Sequence, residues 1–137
     1  MKRYLLPLLI ATLCLAACSK VDNNGDLGGA WQLVSQTEKD GGAVVATKEN
    51  YIFYYFSRNL MRLQQVTVPD FYLCTFRHTA DSLFIGEVHA TPDDALTDYA
   101  ELALFGVTPT GRFGIDHLDR DRLVLSNERY ILTFRKY

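Results

Sequence analysis

Three absences narrow what this chain of 137 residues can do. Its N-terminal apolar run, Leu5 to Leu15, is too short for a membrane-spanning helix, which needs about 20 residues. Basic residues number 14 against 16 acidic ones, so the composition offers no basic face for nucleic acid. The sequence also lacks Gly-x-Ser-x-Gly, phosphate-loop and His-Glu-x-x-His motifs. We therefore expect neither an enzyme nor a cofactor.

The beginning of the chain is organised like a secretory signal. Two basic residues precede the apolar run, and two alanines lead directly into Cys18. The tetrapeptide Leu-Ala-Ala-Cys resembles the bacterial lipobox, in which the cysteine is acylated and becomes the first residue of the mature chain. The resemblance implies that residues 1–17 are a cleaved lipoprotein signal peptide and that Cys18 carries a lipid. The alternative is a buried cysteine in a helix.

The residues after the signal predict how the domain is held. Residues 18–29 are polar and glycine-rich, which predicts a lipidated Cys18 and a flexible tether ahead of a folded domain at 30–137. Ser19 stands where an aspartate would retain a lipoprotein in the inner membrane, so the resemblance implies anchoring in the outer membrane of a bacterial cell envelope. Without Lys2 and Arg3, 12 basic residues remain against 16 acidic ones, a net charge of −4. The side of the membrane that the domain faces stays open.

Cysteine and histidine offer little for chemistry. Cys14 is lost with the signal and Cys18 is acylated, which leaves Cys74 as a single thiol that cannot form an internal disulfide. We interpret Cys74 as a core residue, because a nucleophile would need a nearby histidine in an exposed, electropositive setting. The three histidines are far apart in sequence and show no metal-ligand spacing, so we predict no metal site.

From Trp31 onward, short apolar and aromatic segments alternate with turn residues, which is typical of strands. The segments are AWQLVSQTEK, NYIFYYF, LMRLQQVTV, FYLCTFRH, SLFIGEVHA, RFGIDHL, RLVLS and RYILTFRKY. No repeated strand–helix unit separates them. The sequence therefore predicts an all-β fold: a single antiparallel up-and-down β-barrel of about eight strands.

One segment before the last three strands has helical character. In TPDDALTDYAELALFGV, Thr91 is suited to cap a helix, Pro92 to its first turn, and Asp93 and Asp94 to its N-terminus. Apolar residues then recur at helical spacing. We predict a short helix of about ten residues here. A strand over AELALFGV is the alternative.

Two stretches resemble a known family. GGAWQLV places Gly29 and Trp31 like the Gly-x-Trp signature of lipocalins, and GIDHLDRDRLVLSNERYILTFRKY is similar to the closing strands of small lipocalin-like (calycin-like) lipoproteins of Bacteroidetes. The resemblance implies a lipocalin-like barrel that carries a small apolar ligand. It also implies an arginine on the last strand that packs across Trp31. Arg135 is the candidate, although strict alternation points Lys136 inward unless a bulge intervenes.

The aromatic run NYIFYYF is apolar on both faces of its strand. One reading is a barrel cavity for a small apolar or amphipathic ligand, with tyrosine hydroxyls as polar handles. Its candidate lining is Trp31, Tyr51, Phe53, Tyr55, Phe76 and Phe84. The alternative is a filled barrel that acts as a non-catalytic interaction module and docks an envelope protein or glycan through its outer surface.

Overall fold

The segments with alternating apolar residues form one antiparallel sheet of ten strands. The structure is a computed structural model and describes residues 24–137. The strands are β1 (Gly29–Glu38), β2 (Val44–Ala46), β3 (Ile52–Ser57), β4 (Leu60–Gln65), β5 (Phe71–His78), β6 (Ser82–Ala90), β7 (Ala95–Leu96), β8 (Arg112–Leu118), β9 (Arg122–Ser126) and β10 (Tyr130–Lys136). All eight predicted strand segments form strands. Those for β5, β6, β8 and β9 agree with the structure residue for residue.

The sheet closes on itself because β1 pairs with β3 on one side and with β10 on the other. Eight strands form the ring in the order β1, β3, β4, β5, β6, β8, β9, β10. The two short strands are additions, since β2 pairs with β1 and β7 pairs with the end of β6. The predicted eight-stranded, up-and-down, lipocalin-like barrel is confirmed.

Aromatic side chains fill the inside of the ring. On β3 the inward residues are Ile52, Tyr54 and Phe56, each at most 2% exposed. The Tyr54 ring lies 4.8 Å from that of Phe134, and the Phe56 ring lies 5.2 Å from that of Phe76, measured between centroids. Contacts at these distances are typical of packed aromatic cores. The barrel interior is therefore occupied by the chain's own side chains.

One end of the ring, called the closed end, lies where β1 begins and β10 ends. A 3-10 helix, Gly25–Leu27, covers it. Leu27 is fully buried, and the Trp31 indole N–H donates a hydrogen bond to its carbonyl at 2.8 Å. The prediction of a tether up to residue 29 is therefore wrong for residues 24–29, which belong to the fold; residues 18–23 and the signal at 1–17 lie outside the described residues. The sequence feature that could have predicted this part of the fold is Leu27, an apolar residue just before the Gly-x-Trp signature.

Both ends of the described chain leave at the closed end. The Asn24 side-chain amide donates a hydrogen bond to the carbonyl of Arg58 at 2.9 Å, in the turn between β3 and β4. The backbone N–H of Tyr137 donates to the carbonyl of Ala30 at 3.0 Å, near the start of β1. Neither end of the described chain therefore approaches the opposite end of the ring.

We call the opposite end of the ring the mouth. It is covered by the 3-10 helix Tyr99–Phe105 and the residues that follow it, which together we call the plug. Leu102, Phe105 and Val107 are at most 4% exposed and belong to the same core cluster as the barrel interior. Asn127 on the last turn donates its side-chain amide to the Gly106 carbonyl at 2.8 Å. The plug thus completes the core from the mouth side.

The predicted short helix before the last three strands is confirmed, but its start is wrong. It begins at Tyr99 rather than after Thr91, because the Thr91 hydroxyl donates to the carbonyl of Phe71 at 2.7 Å instead of capping a helix. Ala95 and Leu96 pair with β6 as β7. Tertiary pairing has overridden the local helical signals.

The hydroxyl of Tyr54 ties the barrel wall to the plug, and its removal provides a test. Tyr54 is fully buried and donates a hydrogen bond to the carbonyl of Phe105. Burial raises the pKa of Tyr54, with Cys74 as a smaller cause, so the hydroxyl keeps its proton and remains a donor. We expect Tyr54→Phe to lower the free energy of unfolding by about 1–2 kcal/mol, since a buried carbonyl loses its partner. Urea-induced unfolding measures it.

The matched control is Tyr55→Phe on the same strand. The Tyr55 hydroxyl has no hydrogen bond within residues 24–137, so this variant should change the unfolding free energy by less than about 0.5 kcal/mol. Equal effects of the two variants would contradict a specific role for the Tyr54 hydroxyl.

Candidate functional site

The six aromatic residues proposed to line a cavity are divided between the two faces of the sheet. Trp31 and Phe76 point into the barrel, where they are packed in the core cluster. Phe84 lies on the outer face, where the guanidinium carbons of Arg77 and Arg112 stand 4.4 Å and 5.3 Å from its ring centroid. The structure therefore brings only two of the six into the barrel interior.

The prediction for Tyr51, Phe53 and Tyr55 took the wrong face of β3. Tyr51 precedes the strand in a left-handed conformation and is 46% exposed. Phe53 lies outside the ring, where Tyr137 covers it with ring centroids 4.9 Å apart. Tyr55 shares that outer face and stacks on Phe53. Because the strand is apolar on both faces, its pattern could not show which face the core would take.

A groove of about 440 Å³ lies at the mouth, between the β4–β5 turn, the end of β6 and the plug. Its apolar lining is Val68, Phe71, Tyr72, Pro92, Leu104 and Phe105. The Tyr72 and Phe105 rings meet edge to face, 6.0 Å apart, so one wall of the groove joins the barrel to the plug. Val68 and Leu104 are 42% and 50% exposed, which leaves apolar surface available to a ligand.

The rim of the mouth groove is acidic. Asp70 and Asp93 contribute to its lining. Asp98 and Glu101 line a second groove, of about 330 Å³, that shares Tyr72 with the first. An apolar surface bordered by carboxylates fits an amphipathic molecule whose polar part donates hydrogen bonds or carries positive charge. The sequence signal that could have found this site is the aromatic pair directly after Pro69 and Asp70.

The residue that packs across Trp31 is Lys136 and not Arg135, so the assignment carried over from lipocalins is wrong by one position. Trp31 and Lys136 are cross-strand partners, and the Lys136 ammonium lies 4.5 Å from the indole centroid. It also donates a hydrogen bond to the carbonyl of Gly28. Arg135 points outward and donates to the side chain of Gln32 at 2.8 Å. Strict alternation of inward and outward side chains along β10 therefore predicts the correct residue, Lys136.

Gly29 of the signature is needed for this closed-end contact. Its φ of +101° lies in a region that favours glycine, and a Cβ at this position would stand 2.9 Å from the Lys136 ammonium. The Gly-x-Trp pair therefore lets the lysine approach the backbone and the indole together.

Cys74 is a core residue, as interpreted from the sequence. It is 1% exposed, and burial raises the pKa of its thiol to about 12. Within residues 24–137, no three histidine, cysteine or acidic side chains are grouped as metal ligands. His89 is bordered by Glu87 and Asp94, 3.4 Å and 3.1 Å from its ring nitrogens, and all three are on the surface.

A closed antiparallel barrel of eight strands with one short helix is the fold of a lipocalin-like protein. The sequence matches the lipocalin-like domain family over residues 13–137, and the chain belongs to that family. No curated protein matches it. In residues 24–137 there is no helix of the length and apolarity needed to cross a membrane.

Three solved structures are similar in fold. A lipocalin-like protein from Bacteroides uniformis has a TM-score of 0.62 at 20% identity, over 82% of this chain and 100% of that one. An uncharacterised protein from Bacteroides eggerthii has a TM-score of 0.56 at 21% identity, over 80% of this chain and 98% of that one. A protein from Burkholderia xenovorans has a TM-score of 0.55 at 17% identity, over 89% of this chain and 87% of that one. At these identities the likeness shows the fold alone.

Trp31 is the only tryptophan, so its fluorescence reports directly on the closed end. We expect Lys136→Met to shift the Trp31 emission and to lower the unfolding free energy by about 1 kcal/mol, because the cation–π contact and a hydrogen bond are lost. Arg135→Met should leave the emission unchanged, since Arg135 contacts Gln32 on the outer face. An emission shift in the Arg135 variant alone would reverse the assignment.

Proposed function

We propose that this protein is a lipid-anchored lipoprotein of the bacterial cell envelope that binds a small apolar or amphipathic molecule without catalysis. The observation that carries the ligand half is the mouth groove, where Leu104 and Val68 leave apolar surface open beside Tyr72. The lipocalin-like fold supports binding rather than chemistry. The packed interior argues for a ligand held at the rim and not deep in the barrel.

The lipobox at Cys18 supports the anchor, and Ser19 supports the outer membrane over the inner one. Both residues lie outside the described range, so these two steps rest on sequence. The anchor consists of acyl chains, each buried methylene contributing about 0.8 kcal/mol to membrane attachment.

A second candidate function is a non-catalytic interaction module that docks an envelope protein or glycan. The filled interior favours this second function, because the buried side chains, Trp31 and Phe134 among them, form one core cluster. Exposed apolar residues outside the mouth groove, such as Val44 and Val45 at 68% and 56% exposure, are consistent with a contact surface. The binding experiment below separates the two functions.

Native mass spectrometry tests the ligand. A chain starting at Ser19 retains every described residue and is incubated with an envelope lipid extract. We expect a stoichiometric mass increase of a few hundred daltons, and at least a tenfold lower bound fraction in Leu104→Glu, because a charge in the apolar groove opposes binding. The control is Leu60→Glu at the closed end, where the leucine is 40% exposed against 50% for Leu104.

Three results would decide against the mouth groove. An unchanged mass in every extract would favour the interaction module. Equal loss of ligand in both leucine variants would indicate a general defect, and loss in the Leu60 variant alone would move the site to the closed end.

Metabolic labelling with a fatty acid tests the anchor. The full-length chain should incorporate label and fractionate with outer membranes, whereas Cys18→Ser should incorporate none, because no other residue supplies the lipobox thiol. The matched control is Cys74→Ser, which removes the buried thiol and should keep the label. Label retained by the Cys18 variant would contradict the anchor.

A further inference from the structure

The outer face of the β3–β4 hairpin carries a groove of about 610 Å³ that begins at the closed end. We call it the hairpin surface, and it is lined in part by Tyr55, Arg58, Leu60, Arg62 and Leu73. Leu60 is 40% exposed, and Tyr55 and Leu73 are half-buried on the same outer face. The hairpin surface therefore combines exposed apolar groups with two arginines.

The positive charge of this surface is not neutralised by neighbouring side chains. Within residues 24–137, neither Arg58 nor Arg62 has a carboxylate within 4.0 Å. The Arg62 guanidinium carbon lies 4.2 Å from the centroid of the Tyr55 ring, which fixes the cation beside an aromatic face. The hairpin surface is thus locally basic in a chain whose overall charge is negative.

The path of the chain places this surface next to the proposed anchor. Asn24 bonds to the carbonyl of Arg58 itself, so the described chain starts at the tip of the same hairpin. Cys18 precedes Asn24 by six positions. Six residues span at most about 20–22 Å even when fully extended. An acylated Cys18 therefore keeps the hairpin tip within that distance of the bilayer.

We propose that the hairpin surface contacts the headgroup region of the membrane that holds Cys18. Arg58 and Arg62 face anionic headgroups, while Leu60 and Tyr55 enter the interface, the combination by which peripheral surfaces bind lipid. The inference rests on the proposed acylation of Cys18. The proposal also predicts how the mouth groove is oriented. The groove lies at the opposite end of the barrel and therefore faces away from that membrane.

Site-specific fluorescence on the acylated full-length chain tests this orientation. A polarity-sensitive fluorophore is attached to Asn59→Cys at the hairpin tip or to Ala103→Cys in the plug, two exposed positions at opposite ends. Cys74 is buried with a raised thiol pKa, so it does not compete for label at neutral pH. The protein is reconstituted in vesicles of phosphatidylcholine, with or without phosphatidylglycerol, that contain a nitroxide-labelled headgroup lipid.

We expect quenching about fivefold stronger at position 59 than at position 103, and stronger in anionic vesicles, where each basic residue adds electrostatic attraction. Arg58→Gln combined with Arg62→Gln should remove the dependence on phosphatidylglycerol. The control pair, Lys39→Gln with Lys48→Gln at the mouth side, should leave it unchanged.

The outcomes separate this inference from the function on which it depends. A chain whose mass shows no acyl group would overturn the anchor and the orientation together. An acylated chain quenched equally at both positions, or more strongly at position 103, would overturn the hairpin surface alone. An emission shift at position 59 that grows with protein concentration without vesicles would assign the surface to a second copy of the chain, and would also overturn it.

Discussion

Pairing of the first ring strand with the last is the constraint on which the rest of the structure depends. The β1–β10 ladder closes the ring of eight strands, so β1 and β10 do not expose a row of unpaired backbone groups to other chains. Its register also places Lys136 opposite Trp31 and so sets the packing of the closed end. The interior aromatics on β3 and β10 reach one another only because the ring is closed. The packing of the core and of the closed end therefore both depend on this one ladder.

The ring strands could be predicted from the sequence because their signals are local. Alternation, β-branched and aromatic residues, and turn residues such as those between β5 and β6 are all written within a few positions of one another. Lys136 could also be predicted, since alternation along β10 already pointed it inward. The resemblance to lipocalins suggested Arg135 and was the weaker guide, because a family pattern does not fix the register of a particular strand.

The remaining features depend on contacts between distant residues. Nothing local distinguishes Phe53 from Tyr54, and only the closure of the ring decides which of them the core receives. The plug was expected as a helix from Thr91, but pairing of Ala95 and Leu96 with β6 delays it to Tyr99. The mouth groove arises where three separate segments meet, so the aromatic pair Phe71–Tyr72 signals only one of its walls and the sequence does not show that the other two adjoin it.

The position of the described chain ends separates the two roles proposed for the molecule. Asn24 and Tyr137, the two ends of the described chain, both lie at the closed end and away from the mouth. A leader of different length, or an added C-terminal domain, would therefore alter the closed end and leave the structure of the mouth groove unchanged. The proposed attachment at Cys18 and the proposed binding at the mouth groove would therefore use opposite ends of the barrel, so a change in one need not alter the other.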